Sequence, residues 1–401
     1  MKRLTVFWMI LMLLGLAVGA AAETKVMAVT DIHYLARPLY EDSESFVEIL
    51  KGSDGKLTQY GDELLDALYL EIQEEKPDAL LVTGDLSFNG EKQSHLDLAA
   101  WFSKVEASGV PVWVIPGNHD MNTRPAGFSR RSYYAAESVN EEEFKAIYQD
   151  FMLPGGAGCS YIAPVNDELW ALMTDVTYCP QAFGVFMKAH ADWLTEALGQ
   201  AKEAGVRVMT ATHQNLVAHT EFTKDNYLMF GNEQMLDLLA EAGVPLNLSG
   251  HMHVQNIASE KGVTDAASGA FCVWPHRYAV VTLSEEQGFR YEAKSLREAF
   301  LPEGLLDLSR NWFSDIVRTM ASAGLAAVQE EPKKLMLDYA ARFNLAYFSG
   351  TYQKADPSWR EDEAYRLWAE SGDQRFWAYM RFVMDEGADT EVSHLVWEEN
   401  R

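Results

Sequence analysis

The sequence predicts an α/β chain with an all-α C-terminal region, and three observations predict it. Between Lys25 and Ile115, apolar runs of strand length alternate with amphipathic helical stretches. From about Ser295 onward the strand signals vanish and only helical patterns remain. The strands also keep ending in Asp, Asn or His, at the sheet edge where α/β proteins bind their ligands.

The N-terminus stands apart. Lys2 and Arg3, the apolar run from Leu4 to Val18 and the small residues Gly19 to Ala22 have the three-part layout of a secretory signal, residues 1–22, with the mature chain starting at Glu23. A secreted or extracytoplasmic protein is expected. The alternative is an uncleaved anchor, although the run is short for a membrane span, and the absence of a following Cys gives no support for a lipid-modified terminus. The 401 residues, 48% of them hydrophobic, suit one large domain or a domain with an appendage. The expected division is a catalytic domain over 23–296 and a helical domain over 297–401.

A formal net charge of -26 argues against a nucleic acid polymer as partner, because neutralising phosphates takes clustered Lys and Arg. It also disfavours an anionic membrane surface, and no stable membrane insertion is expected after signal cleavage. A small anionic substrate is compatible where bound divalent cations reverse the local field. The three cysteines are too few for a disulfide scaffold or a thiolate zinc site. Cys159 and Cys179 flank an apparent hairpin from Ser160 to Thr177, so they either pair in an oxidising compartment or stay as buried thiols.

Lys25 to Thr30 alternates as a strand and stops at Asp31-Ile32-His33, whose period-2 spacing sends Asp31 and His33 to one side. Asp62 to Glu75 places Leu64, Leu65, Leu68, Tyr69 and Ile72 on one helical face. The strand Ala79 to Thr83 ends in Gly84-Asp85, Asn89-Gly90 makes a turn, and Glu91 to Ala107 is helical again. Val112 to Ile115 then opens, through Pro116, into Gly117-Asn118-His119-Asp120. This βαβαβ order implies parallel strands with right-handed crossovers, which puts Asp31, Asp85 and Asn118 at equivalent edges.

Further on, Asn140 and Glu143 form a capping box before a short helix. Ser160 to Ala163 and Leu169 to Asp175 read as strands, followed by a helix from about Ala189 to Ala204. The strand Arg207 to Thr212 stops at His213, and Leu246 to Ser249 stops at Gly250-His251-Met252-His253. Shorter strands are expected at Ala270 to Trp274, Tyr278 to Leu283 and Arg290 to Ala293. After a linker at Leu301 to Gly304, helices are expected at Leu306 to Met320, Lys333 to Phe348, Arg360 to Ala369 and Gln374 to Met384. The stripe Met336, Tyr339, Ala340, Phe343 and Tyr347, like Trp312, Trp359, Trp368 and Trp377, reads as helix packing rather than a ligand site.

Five strand ends thus present Asp31 and His33, Asp85, Asn118 with His119 and Asp120, His213, and His251 with His253. The donors are carboxylate, amide oxygen and imidazole with no thiolate, a set that suits Mn, Fe or Zn. It is large enough for two divalent or trivalent ions sharing one carboxylate.

With these D-x-H, G-D, G-N-H-D, H and G-H-x-H blocks in order from Asp31 to His253, the chain resembles the calcineurin-like metallophosphoesterases. Within them it is most similar to exported bacterial class III cyclic nucleotide phosphodiesterases with a helical C-terminal domain, a likeness strengthened by Gly84 to Glu91 and by Pro275-His276-Arg277-Tyr278. The resemblance implies a four-layer sandwich of two mixed β-sheets flanked by helices. It further implies one metal on Asp31, His33 and His253, a second on Asn118, His213 and His251, and Asp85 as the bridge. Thr212-His213-Gln214-Asn215 departs from the His-His pair often found there, which leaves His213 as the ligand.

Two cations about 3.5–4 Å apart clamp a phosphate and acidify a water, so in-line attack of a metal-bound hydroxide is the expected reaction, and the resemblance implies a cyclic nucleotide or similar small phosphodiester as its substrate. His119, not needed as a ligand, is expected to protonate the leaving oxygen, with Asp120 orienting its ring and holding it charged. Asn89, Arg124, His219 and His276 are candidate outer contacts with packing roles as the alternative, and His95 reads as structural or exposed. The alternative functions are a phosphomonoesterase or nucleotidase on the same core, because pocket loops set specificity, and a non-catalytic metal-binding protein with a helical interaction module.

Overall fold

In the computed structural model the described residues are 23–224, 227–284, 288–373, 375–387, 392 and 394–396. The expected signal at residues 1–22 lies outside them, and no helix among the described residues is long and apolar enough to cross a membrane.

The strands are β1 (Thr24–Val29), β2 (Ala79–Thr83), β3 (Val112–Ile115), β4 (Ala126–Phe128), β5 (Tyr133–Ala135), β6 (Tyr161–Pro164), β7 (Leu169–Met173), β8 (Thr177–Tyr178) and β9 (Gln181–Gly184). They continue as β10 (Arg207–Ala211), β11 (Leu246–Ser249), β12 (Asn256–Glu260), β13 (Val263–Ala267), β14 (Arg277–Ser284), β15 (Gly288–Ser295) and β16 (His394–Val396). Two six-stranded sheets run β16-β15-β14-β1-β2-β3 and β12-β13-β11-β10-β7-β6. Both are mixed: β1, β2 and β3 are parallel while β14 and β15 are antiparallel, and β7, β10, β11 and β13 are parallel between antiparallel β6 and β12.

Period-2 alternation explains how the sheets stack. In β7, Leu169, Ala171 and Met173 join the core shared with the first sheet, while Leu172 turns to the opposite face, towards Leu194 and Leu236. The helices Gly61–Glu75 and Lys92–Glu106 cover the first sheet through Leu64, Leu68, Leu98 and Phe102. The helices Lys188–Ala204 and Asn232–Ala242 cover the second. The result is a helix–sheet–sheet–helix sandwich.

The helices Leu305–Ser322, Glu330–Phe348, Ser358–Glu361, Glu363–Glu370 and Phe376–Glu386 form the C-terminal part. The stretch expected as one helix from Arg360 breaks at Asp362, whose carboxylate caps the second piece through the N–H of Ala364. The aromatic stripe is core, as its periodicity indicates: Tyr339, Phe343 and Trp368 are buried, and the Trp368 indole donates to Met336 O at 2.9 Å. This core also takes in Met252, Val254, Ala270, Cys272 and Val273, so the helices dock on loops at the sheet edge.

Two of these expectations about strands need correction. Ala270 to Trp274 is not a strand. Its backbone N–H groups go to ligand-bearing loops instead, Ala270 to His253 O, Phe271 to Thr30 O and Cys272 to Asp31 O. Strand structure returns after Ser295 as β16, paired with β15. Of the two states left open for Cys159 and Cys179, the structure has free thiols, with the Cys179 thiol directed at Gly117 O at 3.2 Å.

Candidate active site

The parallel order of β1, β2 and β3 brings their ends to one edge, and β10 and β11 end against it from the second sheet. Asp31, His33, Asp85 and His253 each offer a ligand atom, all within 4.8 Å of one another, and Asp85, His213 and His251 do the same. Asn118 joins the second group, with Oδ1 3.1 Å from His213 Nε2. Asp31, His33, Asp85, His251 and His253 all have positive φ, from 44° to 66°. That is a left-handed conformation Asp and His adopt more readily than other residues bearing a Cβ, though still at a cost, and clustering of such residues is a mark of functional sites.

The donor atoms are aimed and their other atoms are tied down. Asp31 Oδ2 accepts from the Thr30 hydroxyl at 2.8 Å and the His251 N–H at 3.0 Å, while buried Oδ1 has no hydrogen-bond partner. His253 Nε2 lies 3.3 Å from that Oδ1, and His33 Nε2 faces His253 Nε2 at 3.2 Å. Two imidazole nitrogens at that distance cannot both carry protons, and a shared cation resolves the encounter. Asp85 Oδ1 accepts from the His119 N–H at 2.8 Å, leaving Oδ2 3.5 Å from His33 Nε2 and 3.3 Å from His213 Nε2. One oxygen therefore faces both groups, as a bridging carboxylate does. His213 Nδ1 sits 2.9 Å from Thr83 O, which fixes the tautomer and directs the Nε2 lone pair inward.

The electrostatics agree with this reading. Burial alone would raise the Asp85 pKa, but His213, His119 and His33 hold it well below the usual carboxylate range. His213, despite burial, is pushed up to about 9 by Asp85. A cation in this place replaces the proton that the pair otherwise keeps. The buried Asp/His cluster fits a dinuclear divalent metal site.

His119 lines the cavity over the cluster, but Asp120 does not reach its ring. The Asp120 carboxylate accepts from the backbone N–H groups of Gly117 at 2.7 Å, Leu86 at 3.1 Å and Ser87 at 2.9 Å, and from the Ser87 hydroxyl at 3.0 Å. The neighbour of His119 Nδ1 is Asn89 Oδ1 at 3.1 Å. Asp120 therefore welds two loops together instead of orienting the imidazole. Burial lowers the His119 pKa, against the opposing effect of Asp85. Of the outer candidates, Asn89 reaches the site through His119. Buried His219 lies 3.3 Å from Asp265, and the His276 ring is bound at Nδ1 to Phe271 O. Arg124 is exposed and does not line the cavity. His95 is buried between the Tyr148 hydroxyl and Asp120 O, which makes it structural.

The cavity, about 890 Å³, is roofed by the C-terminal helices through Phe313, Ile316, Phe348 and Tyr379. Buried Lys56 lines it as well. None of these is marked in the sequence, because Lys56 directly follows an ordinary turn-rich run, Gly52 to Gly55, and the apolar residues share the periodicity of a packed helix.

A profile described as calcineurin-like phosphoesterase matches residues 24–255. The chain belongs to the calcineurin-like phosphoesterase family. It is accordingly a metallophosphoesterase, a hydrolase of phosphoric esters. A second profile, the C-terminal domain of cyclic nucleotide phosphodiesterase, matches residues 307–390. A protein of Synechococcus, described as a probable cyclic nucleotide phosphodiesterase, is 26% identical over 200 residues, covering 49% of this chain and 66% of its own length. A dimetal phosphatase from Danio rerio shares the fold with a TM-score of 0.50 at 15% identity, over 69% of this chain and 97% of its own.

Proposed function

We propose that this metallophosphoesterase is a phosphodiesterase acting on cyclic nucleotides or similar small diesters. The observation that carries the reading is the roof: the region matched by the cyclic nucleotide phosphodiesterase C-terminal profile supplies an apolar wall to the cavity over the Asp/His cluster. An anionic phosphate beside an aromatic body fits such a chamber. Asp31, His33 and His253 would hold one ion and Asn118, His213 and His251 the other, with Asp85 between them; Mn, Fe or Zn suits these donors.

When bound, the ions supply charge neutralisation at the phosphoryl oxygens and an acidified water. The chain's own residues do the rest. Asp31 and Asp85 place the ligand atoms through the Thr30 hydroxyl and the His251 and His119 N–H groups. With Asn89 accepting from Nδ1–H, His119 keeps Nε2 for the ester, and a proton taken up there from solvent is the one passed to the leaving oxygen. The helices exclude bulk water from the apolar side.

The test compares turnover of 2′,3′- and 3′,5′-cyclic nucleotides, bis-aryl phosphate and mono-aryl phosphate on protein loaded with Mn, Fe or Zn. Higher kcat/KM on the diesters is expected, and dominance of the monoester would favour the phosphomonoesterase reading instead. We also propose export, with residues 1–22 removed. Sequencing the mature N-terminus should give Glu23, and recovery of Met1 in the fractionated protein would overturn it.

A further inference from the structure

Lys56 is 6% exposed and lines the same cavity as Asp85, Asn118, His119 and His253, yet its ammonium makes no hydrogen bond or ion pair among the described residues. The ammonium is not among the fully buried unpartnered atoms, so it opens into the cavity, where an unpaired cation beside the metal cluster offers a contact to an anion. None of the carboxylates lining the cavity pairs with it. Asp85 belongs to the metal cluster, Asp373 accepts from the N–H groups of Arg375 and Trp377, and Asp54 is exposed at the rim without an ion pair to Lys56. Once two divalent ions have consumed the charge of Asp31 and Asp85, the cavity carries a net positive charge to which Lys56 adds.

The residue is also held in place from both sides. Lys56 N–H closes a turn onto Ser53 O at 3.1 Å, and Leu57 N–H donates to Cys272 O at 2.8 Å, whose own N–H reaches Asp31 O. Gly55, at φ +88°, presents its backbone to Phe313 of the helix Leu305–Ser322, where an added Cβ would lie 2.6 Å from the ring. The loop is thus clamped between a metal-ligand strand end and the C-terminal helices.

We propose that Lys56 is an anion-binding residue of the active site, its ammonium taking a non-bridging phosphoryl oxygen of the substrate, and that the C-terminal helix Leu305–Ser322 seats it there through Phe313. This deepens the reading above and rests on its phosphate chemistry, not on its preference for diesters. A point charge on a flexible stem suits such a contact. It adds a third cation to the anion's surroundings.

The experiment titrates inorganic phosphate into metal-loaded wild type, Lys56→Met and Lys56→Arg by calorimetry, with metal content and melting temperature measured on the same samples. Lys56→Met should weaken phosphate binding about tenfold or more while retaining both ions, and Lys56→Arg should recover most of the loss. Because the variant keeps the stem and removes no hydrogen bond or ion pair among the described residues, its melting temperature should hold. Phosphate binding within twofold of wild type would overturn the proposal. So would a variant that melts lower or fails to fold, which would mark Lys56 as structural, or one that loses an ion, since removing a nearby positive charge can only ease cation binding. Dominance of a monoester in the turnover screen would leave these binding results untouched, so the two readings fail separately.

Discussion

His119 and Asp120 are neighbours in the chain with separate duties, and substitution should divide them. Replacing His119 by Asn removes a ring that lines the cavity but is no part of the two metal groups, so both ions should stay and turnover of diesters with poor leaving groups should fall about 10²–10⁴-fold. Full turnover of such a substrate, measured beside metal content, would show that His119 passes no proton. Asp120→Asn instead loses acceptor capacity for the Gly117, Leu86 and Ser87 N–H groups. Its expected signature is a loss of about 1–3 kcal/mol in urea unfolding, with activity falling only as the two loops loosen.

Glu91 offers a pH test away from the metals. Its side chain is buried, Oε2 accepts from the Asn89 N–H at 2.9 Å and Oε1 has no partner, and burial pushes its pKa up to about 7 from 4.5. A raised carboxyl pKa means that the folded state holds the proton more tightly than the unfolded chain. The associated stability is complete below pH 4.5 and is lost as pH rises towards 7, by roughly 3 kcal/mol in all. Glu91→Gln keeps the acceptor and removes the titration. Relative to wild type it should gain stability between pH 5 and pH 8, and a difference in unfolding free energy that is constant with pH would contradict the assignment.

At the scale of elements, the geometry depends on how closely strand ends approach. A Cβ on Gly250, at the end of β11, would collide with Thr30 Oγ1 and Asp31 Oδ2, the pair that aims Asp31. Gly250→Ala should therefore overpack the junction at a cost of about 1–3 kcal/mol. It should also lower metal content towards one ion per chain with the circular dichroism spectrum unchanged, whereas two retained ions would show that the junction yields elsewhere. This also marks what is legible in sequence. β1, β2, β3, β10 and β11 are short apolar runs that stop at Asp, Asn or His, and local pattern suffices to find them. The Ala270 to Trp274 run is as apolar but spends its N–H groups on His253, Thr30 and Asp31, a tertiary choice that no local period records. β12 and β13 escape notice because Asn256, Ser259 and Thr264 blur their alternation, and β16 because three residues give no period to read. The same limit applies to the site. Its Asp and His blocks are written in sequence order, whereas the Asn89 contact to His119, the inward duty of Asp120 and the burial of Lys56 arise only when separate elements meet.

For the whole molecule, the metal cluster is the meeting point of its parts. The sheets converge there, and the C-terminal helices pack on Met252 and Val254, which flank His253. The left-handed backbone at Asp31, His33, Asp85, His251 and His253 is sustained by these surroundings, with carboxylates and imidazoles crowded within 4.8 Å. Cations that bind only this folded arrangement stabilise the whole chain by mass action, about 2.7 kcal/mol per site at a hundredfold excess over Kd. Chelation should therefore lower the melting temperature by several degrees, and adding Mn or Zn back should restore it in a concentration-dependent way. His213→Ala, which deletes a donor from one group only, should keep part of that response, because Asp31, His33 and His253 remain. A melting temperature indifferent to chelator, with metal removal verified by elemental analysis, would mean that the fold bears this crowding without cations, and the assignment of the cluster as a metal centre would fall.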